Sequence, residues 1–356
     1  MEKKNNRKNE HVSLAEHFYQ DTHQTDFDHL RFVHHSLPET GTQKIEISTS
    51  FAGLSMNQPI YINAITGGST WTKKVNEKLA TVARETGMLM ASGSLSAGLK
   101  DPSVADSFTI IRETNPTGLV LANLGGGQTL ENAKKAIDLI QADGLQIHLN
   151  TPQEIVMPEG DRDFSTWMSE LERIVNGVDV PVIVKEVGFG MSHETIQQLT
   201  SIGVKTIDVS GMGGTNFAQI ENYRRKENKL DFLEGWGQST AISLLEAQSF
   251  IHSSEILASG GIRTSMDIVK SLSLGARAVG VSGHFLHSVL KNGVEETIVE
   301  IELLKEHIVA IMTLLGAETI AELQYADVII SGPVKEWCEA RGIDYRSYAR
   351  RNQLRS

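Results

Sequence analysis

The sequence predicts an α/β protein, a (β/α)8 TIM barrel with an N-terminal arm and a C-terminal helical extension. Three observations predict it. Short, nearly continuous apolar runs recur eight times; almost every run ends in Gly, Ser, Asn or another polar residue; the segments between them place apolar residues at i, i+3 and i+4. Apolar strands alternating with amphipathic helices mean a parallel sheet covered on its outer side. Eight such units match a closed barrel. A doubly wound sheet, the competing topology, would carry one Gly-rich fingerprint after its first strand. Here Gly-rich turns follow almost every strand.

The runs come in order. Pro59 to Ala64 leads into Thr66-Gly67-Gly68. Leu89 to Ala91 ends at Ser92-Gly93-Ser94, and Leu119 to Ala122 ends at Asn123. Leu145 to Leu149 opens into the stretch HLNTPQE. Val180 to Val184 ends at Lys185-Glu186, and Thr206 to Val209 ends at Ser210-Gly211. Ile256 to Ala258 ends at Ser259-Gly260-Gly261, and Ala278 to Val281 ends at Ser282-Gly283. Helices are predicted between them, among them Val75 to Thr86, Leu130 to Gln141 and Met266 to Leu274. Residues 1–58 read as a polar arm plus pre-barrel elements, and 59–356 as one catalytic barrel domain. Asn222 to Gln238 reads as a charged insert between the sixth strand and its helix. From Val294 onward the pattern is a long helix, a connecting element and a basic tail.

The 356 residues are 40% hydrophobic and 22% charged, a globular composition. A net charge of -11 speaks against nucleic acid as a partner, because phosphate neutralisation needs a basic face. An anionic small substrate would need a local cluster of cations and amides. The single cysteine excludes an intrachain disulfide framework and fits a reducing compartment. No apolar stretch approaches the roughly 20 residues that span a bilayer, and the basic, polar N-terminus lacks the apolar segment of a secretory signal. The expectation is a cytoplasmic, soluble protein.

In a barrel, polar residues just after the strands converge on one mouth. Ser259 to Arg263 with Ser282-Gly283 read as a phosphate cradle or, alternatively, as tight βα turns. Lys185 is a cation at a strand end, suited to a flavin's N1/C2=O edge or to an ion pair with Glu186 or Glu154. Glu154 is a lone carboxylate, suited to Mg2+ or to a solvated helix start. No paired Cys or His-rich motif supports a zinc site. Arg7, Lys8 and His11 lie in the polar arm, either solvated or folded across a phosphate-filled mouth. Trp236 reads as a cap, an oligomer contact or simple packing, and MPEGDRDF (157–164) as a candidate interface element.

RKNEH, INAITGG, SGS, LANLGG, HLNTPQE, MPEGDRDFSTW, VKEVGFG, SGMGGT and ASGGIR occur in this order along nearly the whole chain. Together they resemble the flavin-dependent, type 2 isopentenyl-diphosphate isomerases. HLNTPQE with MPEGDRDF is the most specific pair, whereas ASGGIR is shared by many flavin barrels. The resemblance implies interconversion of isopentenyl and dimethylallyl diphosphate, without net redox change, on reduced FMN with Mg2+ and NADPH as reductant. It implies FMN contacts at Ala64, Ile65, Thr66, Ser94, Asn123, Lys185, Ser210, Thr215, Gly260, Gly261, Ile262, Arg263, Ser282 and Gly283. It places the diphosphate at Arg7, Lys8, His11, Ser94, His148, Asn150 and Gln153. Gln153 would lie against the reacting alkene, with His148 and Asn150 completing the catalytic set, and Glu154 would hold Mg2+. The loop SLSAGLKDP departs from the family pattern: Leu95 and Ser96 stand where relatives often carry Gln or Met and then a cation. A homo-oligomer, tetramer or octamer, is expected. The alternative is an FMN-dependent oxidoreductase on the same barrel, which needs a redox-active substrate.

Overall fold

Eight parallel strands close on themselves in chain order. They are β1 (Ile60–Ile62), β2 (Met90–Ala91), β3 (Val120–Gly125), β4 (Gly144–His148), β5 (Val182–Lys185), β6 (Thr206–Asp208), β7 (Glu255–Ser259) and β8 (Val279–Val281). β8 pairs β1 in parallel, Val281 opposite Ile62, which completes the ring. The computed structural model describes residues 2–20 and 24–355, with side chains described for residues 7–20 and 24–353. All eight predicted strands are present. β3 and β5 run further than their apolar stretches: Asn123 and Gly125 stay in register with Gln146 and His148, and Lys185 pairs with both His148 and Asp208. Backbone ladders do not require apolar side chains, so a polar residue that points into the barrel leaves the strand intact.

Seven helices position the site. They are α1 (Glu2–His17), α2 (Thr70–Thr86), α3 (Leu130–Ile140), α4 (Thr151–Val156), α5 (Phe217–Arg224), α6 (Gly283–Lys291) and α7 (Val294–Leu314). The Ser69 hydroxyl caps α2 by accepting the Thr72 N–H, and Gly87 ends it at φ 67°. α2 therefore starts five residues before the apolar pattern suggested. The predicted insert also changes: Asn222 to Arg224 belong to α5, and only the following stretch is irregular up to the helix Thr240–Glu246. α5 buries Glu221 and Asn222 alongside Ala218 and Ile220, so its inward face mixes polar and apolar residues and carries no clean apolar periodicity to read.

The hairpin 49–51/54–56 plugs the bottom of the barrel. Its Phe51 and Met56 pack with Tyr61, Leu89, Leu121, Ile183, Leu257 and Ala278. Strand 30–32 pairs antiparallel with strand 328–330, tying the pre-barrel segment to the C-terminal extension. With the floor closed, the strands open only at their C-terminal ends. Among the described residues no helix is long and apolar enough to cross a membrane.

Candidate active site at the barrel mouth

A cavity of about 410 Å³ lies at the C-terminal ends of the strands. Every residue predicted for the site lines it, with one exception: Arg7, Lys8 and His11 from α1, the strand-end residues, Ser94, Ser96, and the α4 group Asn150, Gln153 and Glu154. Leu95 is the exception and the correction. Its side chain is fully buried in the core, and its N–H donates to the Asn123 carbonyl. An apolar side chain gains more by packing than by facing a polar mouth. Within MPEGDRDF, Met157, Glu159 and Asp161 form cavity wall. Arg162 ties this loop down, donating to the carbonyls of Glu154 at 2.5 Å, Gly160 at 2.6 Å and Met157 at 2.7 Å. Trp236 stays 60% exposed and borders a second, adjoining hollow.

The α4 group is preorganised. Asn150 Nδ2 donates to Gln153 Oε1 at 3.1 Å and to Glu154 Oε1 at 3.0 Å, while Glu154 Oε2 accepts the Asp161 N–H at 2.9 Å. Gln153 Nε2 donates to Glu221 Oε1 at 3.2 Å. Glu221 is fully buried, and Arg224 reaches its other oxygen at 2.5 Å. The same guanidinium holds Glu10 of the arm at 3.1 Å and Glu159 at 2.8 Å. His11 Nε2 lies 2.9 Å from Glu221 Oε1 without a well-directed hydrogen bond, and burial lowers the ring's pKa against the pull of Glu221, so a neutral imidazole meets the carboxylate. Arg224 thus knots the arm, the MPEGDRDF loop and α5 together above the cavity.

Burial governs the charges. It pulls the Lys8 ammonium down to about 8, helped by Arg7 and opposed by Glu221. It pulls His148 down to about 3, with Lys185 and Lys8 adding repulsion and the nearby Leu124 backbone carbonyl opposing, so the ring is neutral at pH 7. Lys185 is lowered by burial against the pull of Asp208 and Glu186. Its Nζ donates to the Glu186 backbone carbonyl, while the Glu186 carboxylate accepts the N–H groups of Val187 and Phe189.

On the opposite wall the residues fit an anionic phosphate. Gly260 has φ 89°, and a Cβ there would lie 2.0 Å from the Gly211 carbonyl oxygen. Only glycine lets these two loops meet. Arg263 has a buried Nε without a partner, and Ser282 begins α6 without a side-chain cap, leaving its first amides for a ligand. For a metal, Glu154 is one carboxylate facing the cavity. Among the described residues no group of three or more His, Cys, Asp or Glu could hold an ion. The residues fit Mg2+ shared with substrate oxygens and water, not a closed protein cage.

Several residues escaped the sequence reading. Glu221 and Arg224 lay in or beside the presumed insert. Asn63, Gln146 and Asp208 lie inside the barrel, linked by Asn63 Nδ2 to Asp208 Oδ2 at 2.8 Å and Gln146 Nε2 to Asn63 Oδ1 at 3.0 Å. A polar residue inside an apolar strand, as in LQI or TIDV, is the signal that could have found them.

A glycine-lined anion cradle beside a lysine, at the C-terminal mouth of a closed barrel, defines a flavin-dependent (β/α)8 enzyme. Consistently, residues 111–329 match the family of FMN-dependent dehydrogenases. The solved structures of a mutant flavocytochrome b2 with pyruvate bound (TM-score 0.63, 22% identity, 84% of this chain and 75% of that one) and of mandelate oxidase with (S)-2-phenylpropionate (TM-score 0.64, 17% identity, 90% of each) share the fold. The isopentenyl-diphosphate delta-isomerase of Latilactobacillus sakei subsp. sakei is 53% identical over 335 residues, covering 94% of this chain and 96% of that protein. That of Staphylococcus haemolyticus is 50% identical over 338 residues, 95% and 97% of the two chains. The chain belongs to the isopentenyl-diphosphate delta-isomerase family.

Proposed function

We propose that this enzyme interconverts isopentenyl diphosphate and dimethylallyl diphosphate, with reduced FMN and Mg2+ in the barrel mouth and NADPH as the reductant that readies the flavin. One observation carries this reading. A single cavity joins a phosphate cradle on one wall to Gln153, Asn150 and Glu154 on the other, beneath an arm bearing Arg7, Lys8 and His11. Two anionic groups can therefore sit at opposite ends with an apolar unit between them.

The reaction adds a proton at the terminal methylene and removes one from the neighbouring CH2, so atoms and electrons balance within one molecule. When bound and reduced, FMN supplies an electron-rich ring that stabilises the tertiary cationic centre and can exchange a proton with the alkene. Lys185 and Arg263, with the loop amides at Gly260, Gly261 and Gly283, would hold that cofactor. Arg7, Lys8, His11 and Ser94 hold the diphosphate, and Glu154 would hold Mg2+, which would supply charge neutralisation there. Gln153 is a poor acid; fixed between Asn150 and Glu221, it orients the alkene. The arm excludes the water that would trap the cation.

Protein reduced anaerobically with a catalytic amount of NADPH is given isopentenyl diphosphate and Mg2+. The expected result is many equivalents of dimethylallyl diphosphate per NADPH consumed. No product, or one NADPH oxidised per turnover as an oxidoreductase requires, would overturn the reading.

A further inference from the structure

Beneath the mouth, a continuous line of polar side chains crosses the barrel interior. Asp208, Asn63, Gln146 and Asn123 are each at most 2% exposed, and the line ends at His148. An amide side chain has a carbonyl end that only accepts and an NH2 end that only donates. A row of amides therefore runs in one direction, and fixing one member fixes all.

Two independent contacts fix Asn63. Its Oδ1 accepts the Ala64 N–H at 2.9 Å, and its Nδ2 donates to Asp208 Oδ2 at 2.8 Å. Asp208 is itself held as an acceptor by the Ser259 hydroxyl at 2.8 Å and the Ser210 N–H at 3.1 Å. Asn63 Oδ1 then takes Gln146 Nε2 at 3.0 Å, which turns Gln146 Oε1 toward Asn123 Nδ2 at 3.2 Å. That leaves Asn123 Oδ1 for His148 Nδ1 at 2.7 Å. A carbonyl oxygen can only accept, so the hydrogen is on Nδ1. Any reversal would set oxygen against oxygen at one link in a dry interior.

The structure assigns to Asn63, Gln146 and Asn123 the role of positioning residues that lock neutral His148 as its Nδ1–H tautomer, leaving the Nε2 lone pair for the cavity. Nε2 is 3.5 Å from the Cβ position of Gly125, and both residues line the cavity. The consequence, which rests on the diphosphate reading above, fixes how His148 meets the substrate. A neutral Nδ1–H ring has no N–H to offer a phosphate oxygen from that side. His148 engages the diphosphate as an acceptor, its Nε2 taking a hydrogen bond from the P–OH of the monoprotonated diphosphate.

The holoenzyme with 15N-labelled histidine decides this by long-range 1H–15N correlation at pH 7, His148 being assigned by loss of its signals in His148→Gln. The expected spectrum shows a protonated Nδ1 and a bare Nε2. Gln146→Met, a buried change outside the cavity lining, frees the Asn123 amide to turn over. It is expected to convert His148 largely to the Nε2–H form and to raise KM for isopentenyl diphosphate at least fivefold, with kcat changed less and FMN content unchanged. An Nε2–H or doubly protonated His148 in the unsubstituted enzyme overturns the assignment, and so does an unaltered tautomer in Gln146→Met. Should Gln146→Met fail to fold, the unsubstituted spectrum decides alone. If the spectra are as expected but no isomerisation occurs, the relay stands and the proposed function falls.

Discussion

Lys8 shows how one half-buried residue sets a pH limit. Its cationic form is present below about 8 and is lost as pH rises through that value, because burial disfavours the charge. KM for the diphosphate substrate is therefore expected to rise above pH 8, and Lys8→Met should remove that inflection from the KM–pH profile. Gln153 makes a different kind of claim. It is held at both ends, by Asn150 and Glu221, so truncation loosens the alkene's seat without touching the phosphate cradle. Gln153→Ala is expected to lower kcat about a hundredfold, the scale of a small misplacement at a reacting centre. FMN content, read from the visible spectrum, should stay unchanged. HLNTPQE was legible as part of the mouth because four hydrogen-bonding side chains follow an apolar strand. The partners Glu221 and Arg224 were not, because they come from a helix about 70 residues further along the chain, whose inward face mixes polar and apolar residues.

At the scale of elements, two contacts hold the site together. Arg224 joins α1, α5 and the loop after α4 through three carboxylates. Arg224→Ala leaves Glu10, Glu159 and Glu221 clustered near an anionic substrate. The expected result is a KM increase of roughly tenfold or more, on the scale of about 1.5–3 kcal/mol for charge-assisted hydrogen bonds. Faster proteolytic nicking within the arm should accompany it. Unchanged KM and unchanged nicking would mean that the knot does not hold the arm. The second contact is the meeting of the loops after β6 and β7. Gly260→Ala puts a methyl against the Gly211 carbonyl in a left-handed backbone conformation. Purified Gly260→Ala is expected to carry little flavin, measured as absorbance per mole of protein. Both loops were legible as glycine-rich turns. Their contact was not, because it joins residues from neighbouring strands.

For the whole molecule, α7 fastens the C-terminal extension to the barrel by packing against α2 and the helix Ser265–Ser273. Ile308 is fully buried on α7. Ile308→Ala is expected to cost about 2–5 kcal/mol, as for other large-to-small core changes. Denaturant unfolding checks this, and KM of the folded fraction should hardly move. The extension matters because strand 328–330 pairs with strand 30–32, so chain ends far apart in sequence close the same body.

The sequence by itself determined the barrel and its strand order, and all but one of the residues it proposed for the mouth line the cavity. Local periodicity sets strand and helix, and a parallel βα chain delivers every strand's C-terminal end to one face. Only the tertiary structure decided which of those residues touch, that Leu95 turns into the core, and which way the amides from Asn63 to His148 point. Those outcomes depend on contacts between distant segments in a dry interior, where each donor must find one acceptor. No local pattern carries that information.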